Sequence, residues 1–143
     1  LIGSLFHVVN DLERIGDHST NIVEIGKARR KEKSRFSDKV EHEIQHLYEI
    51  VSLMVDQSIE IVRGQIYDPA VIGQVETNEA EVDRLSEELA NHHVDRVKNK
   101  KCTPRNGMLY LDLLNNLERI ADHADNLATS VDTGNSEPKR LLW

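Results

Sequence analysis

Apolar residues recur at intervals of three and four along most of this chain, and four stretches keep that rhythm long enough to predict helices. The first runs from near Leu1 to about Ile25, with Leu5, Val8, Leu12, Ile15, Ile22 and Ile25 on its apolar side and Gly26 available as a left-handed stop. The second opens at Ser37, a good N-cap, with Asp38 in the first turn where the helix dipole favours negative charge. Val40, Ile44, Leu47, Val51, Met54, Val55 and Ile61 carry it to Gly64. Asp68 followed by Pro69 starts the third, because a proline at the first helical position gives up no hydrogen bond. Ile72, Val75, Val82, Leu85, Leu89 and Val97 extend it to about Asn99. Thr103 and Pro104 repeat that signal for the fourth, which continues through Leu113, Leu117, Ile120, Ala124, Leu127 and Val131 to a stop at Gly134. No stretch alternates with period two. Short connections between long amphipathic helices place sequence neighbours antiparallel, so the expected fold class is all-α, an antiparallel bundle of four long helices.

Two polar strings about 105 residues apart are near copies. The first reads Asn10-Asp-Leu-Glu-Arg-Ile-Gly-Asp-His18, followed by Asn21. The second reads Asn115-Asn-Leu-Glu-Arg-Ile-Ala-Asp-His123, followed by Asn126. Helical periodicity would preserve the Leu and the Ile, but not the order of the polar residues. A shared chemical task explains the copying better. One copy lies at the start of the chain and the other ends a three-helix unit. The expectation is therefore two tandem three-helix repeats, the first represented here by its last helix, and the uncapped apolar start at Leu1 to Val9 fits a chain that begins inside an element.

Within each copy, Glu13 and Asp17, and likewise Glu118 and Asp122, stand four residues apart on one helix face. Like charges at that spacing weaken a helix by roughly 0.2–0.5 kcal/mol. Glu118 also borders the apolar stripe, where a carboxylate needs a cation, a proton or donors. The third helix carries a matching pair, Glu79 and Asp83, with Glu76 on the same strip. If the third and fourth helices pack antiparallel, Glu79, Asp83, Glu118 and Asp122 converge into an oxygen-rich cage suited to iron, manganese, magnesium or calcium, with zinc a further option. His18 and His123 follow the Asp about 100° round the helix. They are candidates for an outer shell or a salt bridge, as are Glu76 and the repeated Asn10 and Asn115 for the outer shell. Arg14 and Arg119 are expected to pair with acids across the bundle, and His92 and His93 to lie on the surface.

The formal net charge of -7 gives no basic character that would suit nucleic acid. No apolar run reaches the roughly 20 residues of a membrane span, and there is no signal peptide pattern. A single cysteine, Cys102, fits a reduced thiol and is assigned no function. The basic stretch Lys27 to Arg35 reads as a solvated linker, and anionic lipid headgroups are its alternative partner. Nothing forms a nucleophile–base pair or a phosphate-cradling Gly loop. The chain is not expected to be an enzyme.

The two strings Asp11-Leu-Glu-Arg-Ile-Gly-Asp-His18 and Asn116-Leu-Glu-Arg-Ile-Ala-Asp-His123 resemble the signature of the PhoU family, regulators of phosphate uptake. The stretch from His93 to Ile120 is similar, more narrowly, to the PhoU-like cytoplasmic domain at the C-terminus of bacterial sodium–phosphate cotransporters. That resemblance implies two three-helix repeats with multinuclear metal sites, often iron. It divides the chain into residues 1–26, the last helix of a truncated first repeat; 27–36, a basic linker; 37–132, a complete second repeat; and 133–143, a polar tail. Glu79, Asp83, Glu118 and Asp122 would make one metal site, and Glu13 and Asp17 half of another, its remaining ligands lying upstream of Leu1. The implied function is a regulatory domain of a sodium-dependent phosphate transporter, held at the cytoplasmic side of the membrane. Its expected partners are the upstream membrane region of the same polypeptide and phosphate-transport or signalling proteins, with self-association through apolar surface left by the incomplete repeat. Three other readings stand beside it: a free-standing PhoU-type regulator of an ABC phosphate transporter and its sensor kinase; a carboxylate-bridged di-iron protein, weakened by the lack of Glu-x-x-His; and a metal-free helical oligomerisation module.

Overall fold

The computed structural model describes residues 2–64 and 68–130. They form α1 (Ile2–Lys31), α2 (Asp38–Val62), α3 (Pro69–Lys98) and α4 (Pro104–Thr129). The expected all-α bundle is what the chain forms. Val131, Gly134 and the 133–143 tail lie outside the described residues. Ser37, Asp68 and Thr103 each cap a helix as their residue types predict, accepting from the backbone N–H of Val40, Ala70 and Asn106.

One helix end differs from expectation. α1 does not stop at Gly26 but continues to Lys31, so the first part of the stretch read as a basic linker is helical. A glycine is a permissible stop, not a compulsory one. Ile25 is buried and Ala28 packs against the core just beyond Gly26, which holds the helix on course. The actual stop is at Lys33, with φ of 51°, where the N–H of Ser34 reaches the carbonyl of Arg29 at 2.9 Å and that of Lys33 reaches Arg30 at 3.3 Å. α3 ends in the same way: Lys100 has φ of 54° and Lys101 N–H bonds the Arg96 carbonyl at 2.8 Å. Glycine is the usual residue at such a position. Here lysine occupies it twice.

α4 is the central helix, packed against each of the other three, and α2 packs against α3; α1 approaches only α4 at backbone level. Side-chain contacts fix the directions. Glu32 meets Arg105 and Asp11 meets His123, so α1 and α4 are antiparallel. His93 meets Tyr110, and α3 is antiparallel to α4 as well. The Ser58 hydroxyl, fully buried, donates to the Ala124 carbonyl at 2.6 Å, which anchors α2 beside α4. Leu47, Met54, Val75, Val82, Leu117 and Leu127 are sealed from solvent, and Ala121, Ala124 and Ala128 let the neighbours come close to α4.

Among the exposed residues of α1 are three apolar ones: Phe6, Val9 and Val23 are all more than half exposed. Met54→Ala or Leu117→Ala is expected to remove about 2–5 kcal/mol of stability by leaving a cavity, whereas Phe6→Ala, at 72% exposure, should change it by under about 0.5 kcal/mol. Urea denaturation of the three variants checks this ranking.

Candidate metal centre

Antiparallel packing of α3 on α4 sets acids opposite acids. One oxygen each from Glu79, Asp83 and Asp122 lies within 4.8 Å of the others. Glu118 joins them through Asp83, and Glu76 faces Asp125 one turn further along. Glu76, Glu79 and Asp83 follow a single strip of α3; Asp125, Asp122 and Glu118 follow the facing strip of α4. The result is a ladder with three rungs, Glu76–Asp125, Glu79–Asp122 and Asp83–Glu118.

Each rung raises the proton affinity of a carboxylate. Burial first, and then the neighbouring Asp122 and Asp83, push Glu79 up to about 7. Burial and the charges of Asp83 and Asp122 raise Glu118, with Arg119 opposing. Burial, with Glu76 and Asp122, raises Asp125, whose Oδ1 is buried and has no hydrogen-bond partner. No cationic side chain forms an ion pair with any rung among the described residues. An all-oxygen donor set, crowded and lacking counter-charge, can chelate a hard or intermediate cation of the iron, manganese, magnesium or zinc group. Such an ion would supply the positive charge that the ladder lacks.

Asp125 is not marked by the repeated string, because the equivalent position in the first copy is Thr20. Its only sequence signal is its place three residues after Asp122, which keeps it on the same face. Glu13 and Asp17 do not join the ladder. They are exposed on α1, whose backbone approaches α4 and not α3 among the described residues. Asn10 and Asn115 are exposed too, and make no side-chain hydrogen bond among the described residues.

The two histidines instead stitch the copies to each other. His123 Nδ1 lies 2.9 Å from Asp11 Oδ1, and His18 Nδ1 lies 2.9 Å from Asn116 Oδ1, which also accepts from Asn21 Nδ2 at 3.1 Å. The rings stack with centroids 5.9 Å apart. Asp11 and Asn116 occupy the same position of the duplicated string, so each copy's histidine bonds the other copy's Asp or Asn. Both acceptors are buried, which periodicity did not indicate.

Other expectations change. His93 is not at the surface: it is 6% exposed, and its ring stands against Gly107, where an added Cβ would lie 2.5 Å from it. Glycine there is what lets the imidazole lie against α4. His92 is half-buried, 3.6 Å from Glu43. Arg14 and Arg119 form no ion pair among the described residues. Arg29, in the basic stretch, pairs with Glu41 at 2.8 Å and lies 3.9 Å from the Phe36 ring centroid.

The PhoU domain family matches residues 1–26 and 44–131. This chain belongs to that family. PhoU domains are regulatory modules without catalysis of their own. The chain is also similar to the phosphate-specific transport system accessory protein PhoU homolog 1 of Thermotoga maritima, at 26% identity over 122 residues, covering 85% of this chain and 51% of that protein. It thus spans about half the length of the curated relative it matches. No solved structure matches it significantly. No helix among the described residues is long and apolar enough to cross a membrane.

A pH dependence follows from Glu79. Its folded value, near 7 against an ordinary 4.5, means that the folded chain binds a proton more readily than the unfolded chain between those limits. Stability of the metal-free protein is therefore greatest at the acidic end of that window and falls as pH rises through it. Thermal melts between pH 5 and 8 should show a declining Tm, and Glu79→Gln, which cannot ionise, should flatten the decline. An equal slope in the variant would place its origin elsewhere.

Proposed function

We propose that this chain is a PhoU-type accessory domain that regulates phosphate uptake, with a metal ion held by Glu79, Asp83, Glu118 and Asp122. The observation that carries the reading is the acid ladder on two antiparallel helices inside a chain of this family. Three carboxylate oxygens within 4.8 Å of one another, with no paired cation among the described residues, could hold a cation between them, which supports the reading. Glu76 and Asp125 close its far rung. Glu13 and Asp17 repeat the same spacing on α1, and we assign them a metal only together with acids from a helix that α1 does not meet in this structure.

Two placements of the domain differ in what surrounds it. The matched relative is an accessory protein of a phosphate-specific transport system. That supports a PhoU-type regulator acting by contact with an ABC phosphate transporter and its sensor kinase, and we take this as the better reading. The second placement, a cytoplasmic domain of a sodium–phosphate cotransporter, rests on the resemblance of the stretch from His93 to Ile120 to that domain. Hydrophobic spans in the same reading frame would select the second. The exposed Phe6, Val9 and Val23 give either version an apolar face for a neighbouring helix or a second copy. A di-iron enzyme is less well supported, since no histidine joins the acids among the described residues.

Elemental analysis of protein purified without chelator should find metal in the wild type and little in a Glu118→Ala/Asp122→Ala variant; equal metal content would dismiss the site. In cells, the same variant of the protein as encoded should alter phosphate uptake under phosphate-replete growth. Uptake indistinguishable from wild type would end the regulatory reading.

A further inference from the structure

At the other end of the α3–α4 pair lies a cavity of about 270 Å³ with the opposite electrostatic character. Arg35, Arg96, Lys100 and Lys101 line it, and no carboxylate does among the described residues. The N-cap residues of two long helices, Ser37 of α2 and Thr103 of α4, also border it, so two positive helix ends meet there. Three of the carbonyls ending α3, those of Asp95, Arg96 and Val97, are already bonded by the turn through Asn99, Lys100 and Lys101.

Two buried polar groups on its wall lack partners. Tyr110 is 1% exposed, and its hydroxyl makes no hydrogen bond of good geometry; its charged neighbours are Arg96, whose guanidinium lies 5.0 Å from the ring centroid, and Glu43, which stands 3.8 Å from Arg96 behind the cavity wall. His93 is 6% exposed, and its Nδ1 is likewise unpartnered. A buried polar group left unpaired costs about 1–3 kcal/mol, and a ligand reaching both from the cavity would offset that cost. Burial, together with Arg96, pushes the His93 imidazole below its ordinary range, and burial pushes the Tyr110 phenol above its own. The phenol can then donate from its hydroxyl, and the imidazole from whichever ring nitrogen carries the proton.

We propose that this cavity is a binding site for a phosphate-class oxyanion, held by the Arg96, Lys100 and Lys101 charges, with the Tyr110 hydroxyl and the His93 imidazole as donors. A multiply charged tetrahedral anion matches several cations and several N–H and O–H donors converging from different elements. The volume is roughly nine waters' worth at about 30 Å³ each. That leaves room for the organic part of a small phosphate ester against Phe36 and Tyr110, as well as for inorganic phosphate. The site deepens the regulatory reading without depending on the metal: Asp83 and Arg96 are thirteen residues apart on α3, about 20 Å at the helical rise.

Calorimetric titration of chelator-treated, metal-free protein with inorganic phosphate, and separately with a nucleoside monophosphate, tests the proposal without phosphate binding to a metal. Saturable binding of either, one per chain, is expected. Binding confined to phosphate identifies the free ion as the source, and binding confined to the nucleotide identifies an ester. Lys100→Gly/Lys101→Gln removes two charges from a turn where glycine is the easier residue. The fold should persist by circular dichroism while affinity drops about tenfold. Tyr110→Phe should leave stability unchanged or higher, because an unpaired hydroxyl is gone, yet weaken binding about fivefold. No saturable binding of either probe at millimolar concentrations, or the same affinity in both variants, overturns the site. Neither result touches the uptake phenotype of the acid-ladder variant, so the two proposals fail separately.

Discussion

The register of α3 against α4 is the constraint on which the remaining chemistry of this chain depends. Three rungs of facing carboxylates are held in line by Ile72, Val75 and Val82 on one helix and Leu117, Ile120, Ala121 and Ala124 on the other. The magnitudes say which effect dominates. Like charges at helical spacing oppose the fold by a few tenths of a kcal/mol per pair, while each large apolar side chain taken out of water contributes about 1.5–3 kcal/mol. Packing therefore fixes the geometry, and the acids accept it. Burial, and then their crowding, raises the proton affinity of Glu79, Glu118 and Asp125.

α4 can serve two seams because adjacent residues on a helix diverge by about 100°. Asp122 faces α3 and belongs to the ladder; His123, its neighbour, faces α1 and bonds Asp11. The duplicated string is thus read in two directions at once. In one it supplies acids to a neighbouring helix, and in the other it ties the copies together through His18–Asn116 and His123–Asp11. This approximate two-fold relation is a physical reason for copying polar residues as well as apolar ones, because each copy needs both a histidine and an acceptor. α1 uses only the second direction here. Its Glu13 and Asp17 stay exposed, alongside exposed Phe6 and Val9.

Much of this was legible from spacing. The four helices follow from apolar periodicity and from Ser37, Asp68 and Thr103 as caps. The meeting of Glu79 and Asp83 with Glu118 and Asp122 follows from antiparallel packing of sequence neighbours. What was not legible depended on neighbours distant in sequence. Gly26 reads as a stop, but whether a glycine ends a helix is decided by what packs around it. His93 reads as a surface residue because its burial depends on Gly107 leaving space across the seam. Asp125 has no counterpart in the first copy, so the repeat that reveals its neighbours conceals it. Asp11 and Asn116 differ in residue type, and their equivalence emerges only when each is seen receiving the other copy's histidine.

The two lysines at left-handed positions sharpen the contrast between the ends of the molecule. An L-residue there is less favourable than glycine, by roughly 1 kcal/mol. A cation near a helix C-terminus recovers about 0.3–1 kcal/mol from the helix dipole. For Lys33 that near-balance accounts for the residue without further function. Lys100 obeys the same arithmetic but stands on the wall of a cavity with three other cations and two buried polar groups that lack partners. The same backbone conformation is thus ordinary capping at one helix end and part of a charged site at the other. Only the surroundings distinguish them. A chain with net charge -7 that lines up facing acids along one stretch of the α3–α4 pair, and borders a cavity at the other with four cations and no carboxylate, has separated these two sites along the pair. That separation lets one helical hairpin present a cation-seeking surface and an anion-seeking one without the two neutralising each other.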